Sequence, residues 1–97
     1  MENDNKKKSL YVLVYTSVSS NFDSELWAPY TQTRIFDDYH KAVGHLTVGF
    51  TEALERLKKD TYFNNKKQPE FEQKCDRSWI KYCGKYENWE IDEVTVQ

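Results

Sequence analysis

Apolar residues alternate with a period of two near both ends of the chain and recur at steps of three and four through its middle. The change of period marks the elements. From Leu10 to Val18 (LYVLVYTSV), Leu10, Val12, Val14 and Val18 lie on one side of an extended strand and Tyr11, Leu13 and Tyr15 on the other. Both sides are largely apolar, which places this strand inside a sheet. The expected arrangement has the aliphatic side under a helix and the tyrosines on the opposite face. Tyr30 to Phe36 (YTQTRIF) has the β-branched and aromatic content of a second, antiparallel strand. Between them, Ser19 to Tyr30 is turn-rich at its start and contains Pro29, as expected of a long hairpin connection.

From Asp37 to Lys59, the residues Tyr39, Val43, Leu46, Phe50, Ala53 with Leu54, and Leu57 fall on one stripe of an α-helix. Asp37 and Asp38 suit the cap and first turn, and Arg56, Lys58 and Lys59 suit the end where the helix dipole is negative. Gly44 and Gly49 sit inside the helix, each at a cost of about 1 kcal/mol relative to alanine at an exposed position. Close approach of the protein's own sheet, a slight kink or a partner's backbone would account for them.

Beyond the helix, Asn64-Asn65 and Pro69 interrupt regular structure. Asp60 to Arg77 therefore reads as a long connection with one short helical turn around PEFEQK. Ser78 to Cys83 reads as a third strand, Gly84-Lys85 as a turn, and Tyr86 to Val96 as a fourth strand. In the last strand Trp89 and Ile91 share one parity and Val94 and Val96 the other. That shift requires a bulge near Asp92-Glu93 or ends that use different faces. The expected fold is α+β: a single domain over residues 9–97 in ββαββ order, with a mostly antiparallel four-stranded sheet and one long helix on one face. Residues 1–8, polar or charged apart from Met1, form an expected disordered tail.

Composition narrows the function classes. Ninety-seven residues fit one domain, and 15% aromatic residues within a hydrophobic fraction of only 38% imply an aromatic-rich core. A net charge of −2 argues against a general electrostatic grip on nucleic acid. LYVLVY is short, carries two tyrosines and lacks a following cleavage site, so it reads as a strand and not as a leader or membrane span. With that reading, Cys75 and Cys83 are expected as free thiols in a reducing, cytoplasmic setting.

Candidate chemistry is sparse. Cys75 and Cys83 lack the tight spacing of a zinc pair, and His40 and His45, five positions apart on a helix, differ by about 140°. No metal or cofactor is expected. With three glycines and no nucleophile motif, an enzyme is not expected either. Glu87, Glu90, Asp92 and Glu93 in the last hairpin suit a solvated edge better than an acid/base pair.

Charge distribution and aromatic content leave two binding readings. The first is a small regulatory or accessory module that binds a protein partner, or itself as a homodimer, through an aromatic sheet face and the 19–29 loop. Its candidate residues are Tyr11, Tyr15, Phe22, Trp27, Tyr82 and Trp89, because tyrosine and tryptophan often dominate interfaces. The alternative is a weak single-stranded nucleic-acid binder. From Arg56 to Lys85 there are nine basic and four acidic residues, and Lys58, Lys59, Tyr62, Lys66, Lys67, Lys74 and Arg77 would combine phosphate contacts with stacking. No small-molecule substrate or membrane contact is indicated.

Overall fold

A computed structural model describes residues 8–19, 30–64, 68–82 and 84–96, without the side chains of residues 19 and 62–64. Their order is β1 (Lys8–Ser19), β2 (Tyr30–Phe36), α1 (Tyr39–Asn64), β3 (Glu70–Gln73), β4 (Arg77–Tyr82) and β5 (Lys85–Val96). All strands join one antiparallel sheet in the order β2-β1-β5-β4-β3. The α+β class, antiparallel sheet and single long helix match expectation. The sheet has five strands, however, and the order is ββαβββ.

The fifth strand is β3, in the stretch expected to hold a helical turn. Its EFEQ sequence alternates: Phe71 pairs with Ile80 and contacts the Phe50 ring at 5.9 Å, while Glu70 and Glu72 point the other way. Four residues with one apolar side chain carry too little period to be distinguished from a turn. The β3–β4 connection is tied by a backbone bond from Lys74 N to Arg77 O (3.0 Å) and by Ser78 Oγ donating to Lys74 O (3.0 Å).

Asp38 caps α1, its carboxylate accepting from the backbone N–H of His40 (2.7 Å) and Lys41 (3.3 Å). The helix runs past Lys59 to Asn64. Thr61 continues the buried stripe one turn beyond Leu57, and its hydroxyl, buried with it, donates to Leu57 O at 2.9 Å. Ala42, Leu46, Phe50, Ala53 and Leu57 form the helix side of the core, facing Leu13, Ile80, Tyr82, Trp89 and Ile91. Tyr39 stays at the margin, edge-to-face with Tyr11 at 5.5 Å.

Which face of β1 the helix covers reverses expectation. Tyr11, Leu13 and Tyr15 lie on the helix side, together with Tyr82 and Trp89, while Leu10, Val12, Val14 and Val18 look away from it. The register supplies the reason. Val12 stands opposite Asp92 and Val14 opposite Glu90, so burying the valine side would bury two carboxylates with it. On the other side Leu13 meets Ile91 and Tyr15 meets Trp89, so the same helix covers two large aromatic rings and buries only one carboxylate, Glu87.

Pairing of β1 with β5 runs unbroken from Lys8↔Val96 to Ser19↔Lys85. The parity change in β5 is therefore a change of face without a bulge: Trp89 and Ile91 enter the core, and Val94 and Val96 remain exposed on the far side. Gly84, between β4 and β5, has φ of 80°, a conformation that glycine adopts without strain.

The two helix glycines differ in their surroundings. A Cβ on Gly49 would stand 3.0 Å from the Trp89 indole nitrogen, whereas one on Gly44 would meet nothing within 4 Å. Gly49 thus admits Trp89 beneath the helix, and Gly44 is a propensity cost with no packing return. In urea melts Gly44→Ala should raise stability by about 1 kcal/mol. Gly49→Ala should gain nothing or lose stability, and equal gains at both sites would contradict this packing.

Candidate functional site

The helix covers the middle of the sheet and leaves most of β2 bare. Tyr30 to Ile35 are exposed, and β2 reaches the helix at its end, where Phe36 packs against His45 in a tilted pair with ring centroids 4.7 Å apart. Between β2 and α1 runs an open groove of about 440 Å³. Its β2 wall carries Gln32 and Arg34. Its helix wall carries His45, Val48, Glu52 and Arg56, residues spaced at three and four along one flank of α1, and its floor includes Tyr15, Glu87 and Trp89.

At the end of the floor lies a three-residue polar unit. The Tyr15 hydroxyl donates to Glu87 Oε1 at 2.5 Å, and Arg56 Nη2 lies 3.2 and 3.3 Å from the two carboxylate oxygens. The Glu87 side chain is only 7% exposed and that of Arg56 65%. Glu87 enters the interior because it shares its parity with Trp89 and Ile91. Both partners then supply the hydrogen bonds and counter-charge that a buried carboxylate requires. The unit joins β1, β5 and α1. Burial first, and then the bond to Glu87, push the Tyr15 phenol up to about 12. The phenol is therefore neutral at physiological pH and serves as a hydrogen-bond donor to Glu87.

Aromatic rings connect this groove to the far edge of the sheet. Tyr30 approaches Tyr15 at 6.2 Å, Tyr15 approaches Trp89 at 5.0 Å, Trp89 approaches Phe50 at 5.7 Å, and Phe50 approaches Phe71. These are tilted or edge-to-face pairs, the geometry favoured by ring quadrupoles.

The residues expected to form an aromatic recognition face separate. Tyr15 and Trp89 floor the groove, Trp89 with 4% exposure, and Tyr11 packs against Tyr39. Tyr82 is buried, with its hydroxyl donating to Asp60 Oδ2 at 2.6 Å. None of the four lies on the uncovered sheet face, because β1 and β5 turn their aromatics toward the helix. Phe22 and Trp27 fall outside the described residues.

The uncovered face instead presents Val12, Val14, Val18 and Ile35 beside Glu90 and Asp92, with Trp79 stacked on Tyr86 at 6.5 Å.

The basic candidates do not converge either. Lys58 sits 5.9 Å from the Phe71 ring on the helix side, Lys74 pairs with Glu72 at 3.8 Å, and Arg77 pairs with Glu90 at 3.5 Å on the opposite face. Lys59 is exposed on α1. Lys66, Lys67 and the side chain of Tyr62 lie outside the described residues, as does Cys83, while Cys75 is exposed. His40 lies against Tyr39 and His45 against Phe36, on separate parts of the helix surface.

Gln32, Arg34 and Glu52 are groove residues that sequence reasoning did not single out, and Glu87, expected on a solvated edge, is buried on β5, the central strand of the sheet. Glu87 had a visible signal, a carboxylate in phase with Trp89 and Ile91. Gln32 and Arg34 had none, since only the helix position shows which side of β2 borders a groove. Compared with known proteins, the chain matches no protein-family model, no curated protein and no solved structure.

The raised phenol gives a pH signature. Folding favours protonated Tyr15, so its contribution is complete below the ordinary value of 10 and is lost as pH rises through about 12. Tyr15→Phe should lower stability at neutral pH by about 1 kcal/mol, because Glu87 keeps Arg56. Between pH 10 and 12 it should lose stability less steeply than the wild type in urea melts. Parallel pH dependence of the two proteins would contradict the Tyr15–Glu87 bond.

Proposed function

We propose that the protein is a small interaction module that takes an extended protein segment along the β2 edge, with the β2–α1 groove receiving side chains of that segment. The difference between the two sheet edges carries this reading. At one edge β3 has four residues and bears Glu70 and Glu72, features that discourage further strand pairing. At the other, β2 offers seven residues without proline or lysine, exposed from Tyr30 to Ile35.

An added strand would gain main-chain hydrogen bonds along β2, and its alternate side chains would meet the groove. Tyr15 and Trp89 then serve as the floor of the recognition site and not as an open aromatic surface. A cytoplasmic setting belongs to the same proposal and accords with the exposed Cys75 thiol. No helix among the described residues is long and apolar enough to cross a membrane.

Peptides selected from a displayed library and titrated into isotopically labelled protein should shift the backbone amides of residues 30–36 and the Trp89 indole signal. Arg34→Glu should weaken acidic binders by about tenfold, as expected for loss and reversal of a partly desolvated charge contact. Selection of no binder, or of binders that leave residues 30–36 unmoved, would overturn the proposal.

A further inference from the structure

Building on that reading, we infer that the strand received by β2 is β2 of a second copy of this chain, paired antiparallel about a two-fold axis through Thr33. In an antiparallel pair, facing residues project to the same side of the sheet, so a symmetric pairing must centre on a residue. Centring on Thr33 is the choice that pairs all seven positions of Tyr30–Phe36.

The resulting partners are compatible on both faces. On the groove side Tyr30 faces Phe36 of the second copy and Gln32 faces its Arg34. On the other side Thr31 faces Ile35, and Thr33 faces Thr33. Aromatic and Thr–Ile pairs of this kind stabilise antiparallel strands, and no like charges stand opposite each other.

Charge in the groove points the same way. Arg34 and Glu52 line it, and neither forms an ion pair among the described residues. Self-pairing brings Arg34 of the second copy beside Gln32, into the mouth of the groove that contains Glu52. The same contact forms twice, once for each copy. One seven-residue strand pair falls short of the roughly 1,600 Å² of a standard interface, so a reversible dimer of about micromolar or weaker affinity is expected.

The test is solution mass by light scattering across a wide concentration range, under reducing conditions because Cys75 is exposed. The wild type should rise from 11.6 kDa toward twice that mass. Thr33→Lys, at an exposed position, should keep the wild-type melting temperature yet remain a monomer, because each new cation faces its own copy. Gln32→Glu, facing Arg34, should tighten the dimer by about threefold or more, and Gln32→Arg should weaken it by a similar factor.

A wild type that stays monomeric throughout overturns the self-pairing. If library peptides still shift residues 30–36 in that protein, the edge reading survives alone. A dimer unaffected by Thr33→Lys overturns the proposed axis, and one that forms without shifting residues 30–36 places the association elsewhere and overturns the self-pairing, whereas the edge reading falls only if library peptides also leave those residues unmoved.

Discussion

Trp89 beneath Gly49 is the contact on which the arrangement of this protein depends. The indole turns its nitrogen edge toward the missing Cβ of Gly49, and its ring packs against Phe50 and Tyr15. That contact places the helix over the middle of the sheet. It also selects the face of β1 that is buried, because Tyr15 is the register partner of Trp89. Among the described residues β2 pairs on one edge only, and with the helix seated there the groove opens between β2 and α1. The site follows from a packing decision made two strands away.

The second constraint is electrostatic. Alternation along β5 puts either Glu87 and Glu93 or Glu90 and Asp92 on the helix side. The structure buries only Glu87, which is satisfied by Tyr15 and Arg56; Glu93 stays exposed and accepts from Ser9, and Glu90 and Asp92 face solvent or Arg77. Only Glu87 of this pair is buried, so the pair adds little net stability against an apolar replacement, yet removing its partners would strand the carboxylate. It holds β1, β5 and α1 in one register and fixes the floor of the groove.

Much of this was legible in the chain, and the rest was hidden for identifiable reasons. The helix declared itself through the spacing of Leu46, Phe50, Ala53 and Leu57, and Asp38 proved to be its cap. Both hairpins were visible from strand composition and from Gly84. The buried face of β1 was not, because each side is apolar and only the pairing with β5 shows that valine burial would take carboxylates along. β3 was hidden by its length, and the last turn of α1 by a threonine whose hydroxyl is satisfied within the helix. Tyr11, Tyr15, Tyr82 and Trp89 lie on the helix side of the sheet and not on its bare face, so the candidate site is at an edge.

The central claim is that β2 is an unpaired edge built to accept another strand. Residue-resolved amide hydrogen exchange in dilute protein tests it most directly. In β1, β4 and β5, interior amides should exchange only on global unfolding, whereas every second amide of β2, pointing away from β1, should exchange near the unprotected rate. Raising the protein concentration should slow that outward set selectively. Outward amides of β2 as protected in dilute protein as those of β5 would mean that the edge is already covered within one chain, and would contradict the account.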